Sequence, residues 1–142
     1  WNQIGDLSGG PKDECYWKFT GDGTGPWMMT RWNSDLSNTH DMRLVYSFVW
    51  DDDTVPQAKV IVSSNGFVGC SETGWGTCRI VRHYPYDNWN AVDVRDSQFR
   101  TDIVDISDFD DKTNVQVRFQ VDSKSGTPKF NVYDVVLAGW KD

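Results

Sequence analysis

Groups that enzymes commonly use for acid–base chemistry are scarce in this 142-residue chain. Its only histidines are His40 and His83, and its only glutamates are Glu14 and Glu72. A catalytic triad needs a histidine beside a nucleophile, and no nucleophile motif of the GxSxG kind is present. Glycoside cleavage usually employs a glutamate, and Glu72 is the one worth substituting. The sequence therefore predicts a protein that is not an enzyme.

Basic residues and long apolar runs are also lacking. The chain has 14 Lys and Arg against 21 Asp and Glu, a formal net charge of -7, so we expect no nucleic-acid partner, which would need a basic face. The longest apolar stretch, residues 132–138, is interrupted by Asp134, whereas a membrane span needs about 20 apolar residues. The chain opens with Trp1-Asn2-Gln3 and lacks the Met and the basic segment of a signal peptide, which indicates a mature segment or an excised module of a larger secreted protein.

Cysteine is limited to Cys15, Cys70 and Cys78, and none of them forms a CxxC pair. This spacing excludes a thiolate zinc site. Cys70 and Cys78 flank a glycine-bearing loop and could close a disulfide ring in an oxidising compartment. Cys15 would then be a free buried thiol or an intermolecular bridge, unless the pairing is a different one.

Alternation of apolar and polar residues is the clearest positive pattern. It runs through residues 42–50 and again through residues 115–121. Turn-forming residues bound six further predicted strands, over residues 15–20, 26–32, 59–63, 78–84, 99–106 and 130–137. Apolar residues nowhere keep helical spacing for three turns. We therefore predict one all-β domain over residues 1–142, a two-sheet antiparallel β-sandwich of the jelly-roll kind with about eight strands.

Aromatic residues are abundant, with 8 Trp and 5 Tyr, more than a core of this size ordinarily uses. An exposed aromatic ring can stack on the apolar face of a sugar while polar neighbours bind the hydroxyl groups. We expect Trp17, Trp50 and Trp140 in the core. The predicted ligand-binding residues are instead loop aromatics with one acidic neighbour: Trp27, Trp75, Tyr84, Tyr86, Trp89 and Glu72.

The order of several motifs resembles that of MAM-like and carbohydrate-binding-module-like jelly rolls of secreted proteins. The motifs are MRLVYSFVW at 42–50, KVIVSSNG at 59–66, DISDF at 105–109, NVQVRF at 114–119 and FNVYDVVL at 130–137. They are similar to that family's first long core strand, its strand and turn, its "DlSxya" segment, its "vxirF" strand and its closing "fyIDDVxl" strand. The resemblance covers nearly the whole chain and implies a jelly-roll fold, an extracellular location and glycan binding.

A structural calcium ion is a further implication of this resemblance. The closing strand of the family carries an acidic pair that often helps to hold calcium, and here Asp134 keeps one of the two positions while Tyr133 replaces the other. Asp51, Asp52 and Asp53 form a separate candidate, because clustered carboxylates and loop carbonyls suit Ca²⁺. Asp108, Asp110 and Asp111 form another cluster. Such clusters are equally typical of solvated turns.

Two functions from different classes agree with these patterns. The first is a non-catalytic carbohydrate-binding module that tethers a secreted protein to a polysaccharide through loop aromatics. The second is an extracellular protein-interaction or assembly domain with calcium-supported contacts, in which exposed aromatics act as anchors.

Overall fold

The computed structural model describes residues 33–50, 57–85, 93–122 and 130–142, together with the backbone of four short strands near the start of the chain. Ten strands and one 3-10 turn at Ser107–Phe109 form the described fold. The strands are β1 (Asn2–Ile4), β2 (Leu7–Gly10), β3 (Tyr16–Phe19), β4 (Trp27–Thr30), β5 (Thr39–Trp50), β6 (Gln57–Ser63), β7 (Cys78–Tyr84), β8 (Arg100–Asp105), β9 (Gln116–Asp122) and β10 (Phe130–Lys141). None of the described residues belongs to a helix long and apolar enough to cross a membrane.

The strands form two antiparallel five-stranded sheets. One sheet, called here the β7 sheet, has the order β1-β4-β9-β6-β7, and the other, the β8 sheet, has the order β2-β3-β10-β5-β8. From β3 to β10, successive strands alternate between the sheets, except for the β6–β7 hairpin. This is the order of a jelly roll. The predicted all-β sandwich is therefore confirmed.

The core lies between the sheets and is rich in aromatic residues. Alternate residues of β5 are buried, including Tyr46, Phe48 and Trp50, as the alternation predicts. Tyr46 meets Phe119 of the facing sheet edge-on, with ring centroids 5.1 Å apart, and Phe48 stacks on Phe130 at 5.6 Å. Because aromatic pairs prefer these geometries, the Tyr46–Phe119 contact helps to fix the relative position of the two sheets, and the Phe48–Phe130 contact joins neighbouring strands of one sheet.

A β-bulge in β10 changes which of its residues face the core. Asp134 has a positive φ of 48°, and the pairing with β5 shifts between Tyr133 and Val136. One extra residue in a strand moves every later side chain to the opposite face. Val135 and Leu137 consequently pack against the core, while Val136 and Trp140 point to solvent. The prediction that Trp140 is a core residue is therefore wrong, since the residue is 68% exposed.

Candidate functional site

A groove opens between β7 and β8, which are the edge strands of the two sheets at the same side of the sandwich. Its volume is about 590 Å³, within the range of small-molecule sites. Its walls come from the loop before β7, from both edge strands and from the 3-10 turn: Trp75, Arg79, Arg82, Ile103, Val104, Asp105, Ser107 and Asp108. We call it the β7–β8 groove.

A disulfide-closed loop carries Trp75 to the rim of this groove. Cys70 and Cys78 form the disulfide, which confirms the suspected pairing, whereas Cys15 lies outside the described residues. Ser64 fastens the loop to β6, because its backbone N–H donates to Thr77 O at 2.8 Å and its hydroxyl donates to Gly76 O at 2.6 Å. These bonds hold the loop against the sheet directly after the tryptophan.

Gly76 is required where the loop meets the 3-10 turn. Its φ is +67°, and a Cβ atom at this position would lie 2.9 Å from Asp108 O. Its backbone N–H donates to Asp108 Oδ2 at 2.9 Å. Since both the conformation and the close approach exclude a side chain, glycine fixes the path of the chain directly after Trp75.

Trp75 packs over the guanidinium group of Arg79. The Arg79 Cζ atom lies 4.4 Å from the centroid of the tryptophan ring, a cation–π contact. The residue nevertheless remains 66% exposed. A large aromatic ring is thus presented to solvent in a fixed position, and we call the pair of Trp75 and Arg79 the Trp75 platform.

Asp108 fixes the cationic half of this platform. Arg79 donates to both of its carboxylate oxygens, from Nε at 3.0 Å and from Nη2 at 2.8 Å, and Nη2 also donates to Asp105 O at 2.8 Å. The buried Phe109 anchors the 3-10 turn that carries Asp108. The bidentate geometry sets the plane of the guanidinium group, and with it the plane on which Trp75 rests.

Asp105 supplies an exposed carboxylate at the groove. Its pKa is lowered, first by a hydrogen bond from the backbone N–H of Ser107, which donates to Oδ1 at 2.9 Å, then by the Ser107 hydroxyl and by the charges of Arg43 and Arg79. The group is therefore ionised and can accept hydrogen bonds. Together with the Ser107 hydroxyl, it places polar groups beside the Trp75 platform.

A buried polar network lies beneath the groove. Asp102 is only 4% exposed and accepts hydrogen bonds from Arg82 Nε at 2.9 Å, from the Tyr46 hydroxyl at 3.2 Å and from the Tyr84 hydroxyl. Burial, together with the charge of Asp102, raises the pKa of Tyr46, and burial likewise raises that of Tyr84. The network therefore holds Arg82 in place and keeps both tyrosines neutral.

Of the predicted ligand-binding residues whose side chains are described, Trp75 is the one that lines the groove. Glu72 is exposed on the same loop but does not line the groove. The prediction for Tyr84 is corrected: it is a fully buried core residue whose ring packs on Phe48 at 4.9 Å, so neither face is open to a ligand. The side chains of Trp17 and Trp27 and the whole of Tyr86 and Trp89 lie outside the described residues.

The calcium prediction is not tested by the described residues. Asp51, Asp52 and Asp53 lie outside them, and Asp134 is exposed at the β10 bulge. Within the described part of the chain, no group of three or more His, Cys, Asp or Glu side chains is arranged to hold a metal ion. Asp110 instead accepts hydrogen bonds from the backbone N–H groups of Asp41 and Met42, at 3.0 and 3.1 Å.

Sequence reasoning missed the partners of Trp75. Arg79 and Arg82 lie in β7, a strand whose other residues are mostly buried. A charged residue in such a strand needs a carboxylate partner, so the pattern CRIVRHY could have pointed to an ion-pair site. The positions of Asp102 and Asp108 could not be inferred in this way, because both come from distant segments of the chain.

The fold and the groove define an all-β jelly-roll domain with an exposed aromatic platform at its open edge. No family model matches the chain, and no curated protein matches its sequence. Among solved structures, the chain is similar to the "X-ray crystal structure of a non-crystalline cellulose specific carbohydrate-binding module: CBM28", with 12% sequence identity, a TM-score of 0.49, and coverage of 94% of this chain and 80% of that one.

Proposed function

We propose that the chain is a non-catalytic carbohydrate-binding module, which binds a polysaccharide in the β7–β8 groove and so tethers a secreted protein to it. The observation that carries the proposal is the Trp75 platform, a ring that is 66% exposed and supported by a guanidinium group at 4.4 Å. The disulfide between Cys70 and Cys78 supports an oxidising, extracellular compartment.

The chemistry around the platform suits a sugar. A pyranose ring offers an apolar face, which an indole ring can cover, and equatorial hydroxyl groups that need hydrogen-bond partners. The carboxylate of Asp105 and the hydroxyl of Ser107 line the same groove as Trp75. Since the Arg79–Asp108 pair already fixes the ring, stacking costs little side-chain entropy.

The same groups are poorly suited to catalysis. Glycoside hydrolysis needs a carboxylic acid that is protonated near neutral pH, which requires a raised pKa. The pKa of Asp105 is lowered by its hydrogen bonds with Ser107. Asp108 accepts three hydrogen bonds from Arg79 and Gly76, and its carboxylate is therefore committed to structure.

Affinity-gel electrophoresis and calorimetric titration against a panel of soluble polysaccharides test the proposal. The variant is Trp75→Ala, and its matched control is Trp140→Ala, because Trp140 is equally exposed but lies outside the β7–β8 groove. We expect Trp75→Ala to weaken binding about tenfold, since the variant loses the buried apolar area of the ring together with a stacking contribution of about 0.5–1.5 kcal/mol. The control keeps wild-type affinity. Binding that is unaffected by Trp75→Ala would contradict the assignment of the site.

The outer face of the β8 sheet favours the second candidate function, a protein-interaction or assembly domain. Val136, Val45 and Ile103 are neighbours across three strands and form an apolar row that faces solvent, and Phe99 contacts Tyr133 beside it at 5.4 Å. Branched aliphatic residues suit a protein contact better than a sugar. Concentration-dependent dimerisation in light scattering, abolished by Val136→Asp, would support this candidate, and a monomer at all concentrations would exclude self-assembly.

A further inference from the structure

The cations of the β7–β8 groove are already neutralised by the protein itself. Arg79 forms its bidentate pair with Asp108, with side chains only 10% and 13% exposed. Arg82 pairs with Asp102 through Nε at 2.9 Å and Nη2 at 3.4 Å, and its Nη1 donates to Val81 O at 2.9 Å. A ligand carboxylate could engage either guanidinium group as an ion-pair partner only by competing with a carboxylate already in place.

Asp105 adds a further negative charge to the groove. Its carboxylate is exposed, and its hydrogen bond from Ser107 holds it in position. Arg43 lies opposite Asp105 in the β5–β8 register and is the cation that faces it on the outer side of the sheet. The three arginines Arg79, Arg82 and Arg43 therefore each face a carboxylate, and the whole chain carries a formal net charge of -7.

We propose that the β7–β8 groove selects uncharged stretches of polysaccharide and rejects glycans that carry carboxylate or sulfate groups. This inference rests on the proposed function and adds the chemical class of its ligand. Neutral hydroxyl groups can accept from the Arg79 guanidinium and donate to Asp105 without breaking an ion pair. An acidic sugar meets Asp105 as a like charge, which at about 4 Å in water weakens binding roughly fivefold per contact.

The test compares two probes that share one backbone. The first is the neutral polysaccharide bound most tightly in the screen described above, and the second is the same polysaccharide after partial oxidation of its primary hydroxyl groups to carboxylates. Polygalacturonate and heparin serve as natural polyanions. At low salt we expect the oxidised probe to bind at least fivefold more weakly than the neutral one, and added salt to narrow this difference because it screens exposed charges.

Asp105→Asn isolates the charge responsible. Asparagine can keep the hydrogen bond from Ser107, since it retains a side-chain oxygen, but it removes the negative charge. Asp35→Asn is a matched control, because Asp35 accepts the same bond from Ser37 N at 2.9 Å and does not line the groove. We expect the ratio of oxidised-probe to neutral-probe affinity to rise about fivefold in Asp105→Asn and to stay unchanged in Asp35→Asn.

The outcomes separate this inference from the function on which it rests. Equal or tighter binding of the oxidised probe or a polyanion, still lost in Trp75→Ala, would overturn the selectivity and leave the carbohydrate-binding function standing. An unchanged ratio in Asp105→Asn would overturn the role of Asp105. Failure to bind any polysaccharide would overturn both proposals.

Discussion

Asp108→Asn is the substitution that most directly tests whether the Trp75 platform is held in place by its ion pair. The change removes the charge of the carboxylate and leaves one acceptor oxygen for three donors, two on Arg79 and one on Gly76. The Arg79 guanidinium then stays buried beside the groove without a carboxylate. The platform and the loop behind it should both lose their support.

The magnitude follows from how deeply the pair is buried. Exposed ion pairs contribute about 0–1 kcal/mol, whereas breaking a buried pair costs about 3–5 kcal/mol. The Arg79 and Asp108 side chains are 10% and 13% exposed, close to the buried limit, but asparagine retains part of the hydrogen bonding. We therefore expect a loss of about 2 kcal/mol of unfolding free energy, together with roughly tenfold weaker glycan binding.

A second Arg–Asp pair provides the control. Asp93 and Arg95 form the same bidentate contact, at 3.0 Å and 2.7 Å, but their side chains are 36% and 27% exposed. Asp93→Asn should cost less than about 1 kcal/mol and leave binding unchanged. Urea unfolding followed by far-ultraviolet circular dichroism measures both variants. Equal losses for the two, or wild-type binding by Asp108→Asn, would refute the reasoning.

Three further predictions concern stability. The folded state raises the pKa of Tyr46 and Tyr84, so the contribution of each neutral tyrosine to stability is fully present below about pH 10. Above that pH the unfolding free energy falls by up to about 1.4 kcal/mol per pH unit for each tyrosine. Tyr84→Phe should therefore make urea unfolding less steeply pH-dependent between about pH 9 and 11. Reducing the Cys70–Cys78 disulfide should lower the unfolding free energy by roughly 2–3 kcal/mol. Because the freed loop exposes the ring further, the tryptophan emission of the folded protein should not shift to shorter wavelength. If Asp51, Asp52 and Asp53 bind calcium, added Ca²⁺ should raise the melting temperature, and EGTA or a variant with all three replaced by Asn should remove the increase. An identical melting temperature with Ca²⁺ and with EGTA would contradict a calcium site.

Local patterns predict the fold because the strands of this domain mostly obey their period. Residues 78–84 were expected to form a strand, and β7 has these bounds. The alternation of residues 42–50 also predicts which face of β5 is buried. The pattern fails at Asp134, since a single residue with positive φ reverses the faces of the rest of β10. Nothing in the residue types at 132–138 distinguishes a straight strand from a bulged one.

The site is less predictable than the fold because its contacts join distant segments. Trp75 stands between two glycines, and that local setting indicates an exposed ring. Its support depends on a contact between Arg79 and Asp108, 29 positions apart, and on the arrangement of β7 and β8 at neighbouring edges. Tyr84 shows the converse error, because its position beside a proline suggested a loop residue while the packing of β7 places it in the core.

The groups that form the groove also protect the edge of the β8 sheet. An edge strand presents unpaired N–H and C=O groups to which another strand could add, and proteins block such pairing with inward-pointing charges or covering side chains. Asp102 is an inward-pointing charge on β8, and Arg79 reaches across to occupy Asp105 O. Both features oppose the addition of a second strand at this edge, while the space of about 590 Å³ beside it stays open. A sugar chain needs no continuous row of backbone partners, so the arrangement that prevents strand addition leaves the groove accessible to a glycan.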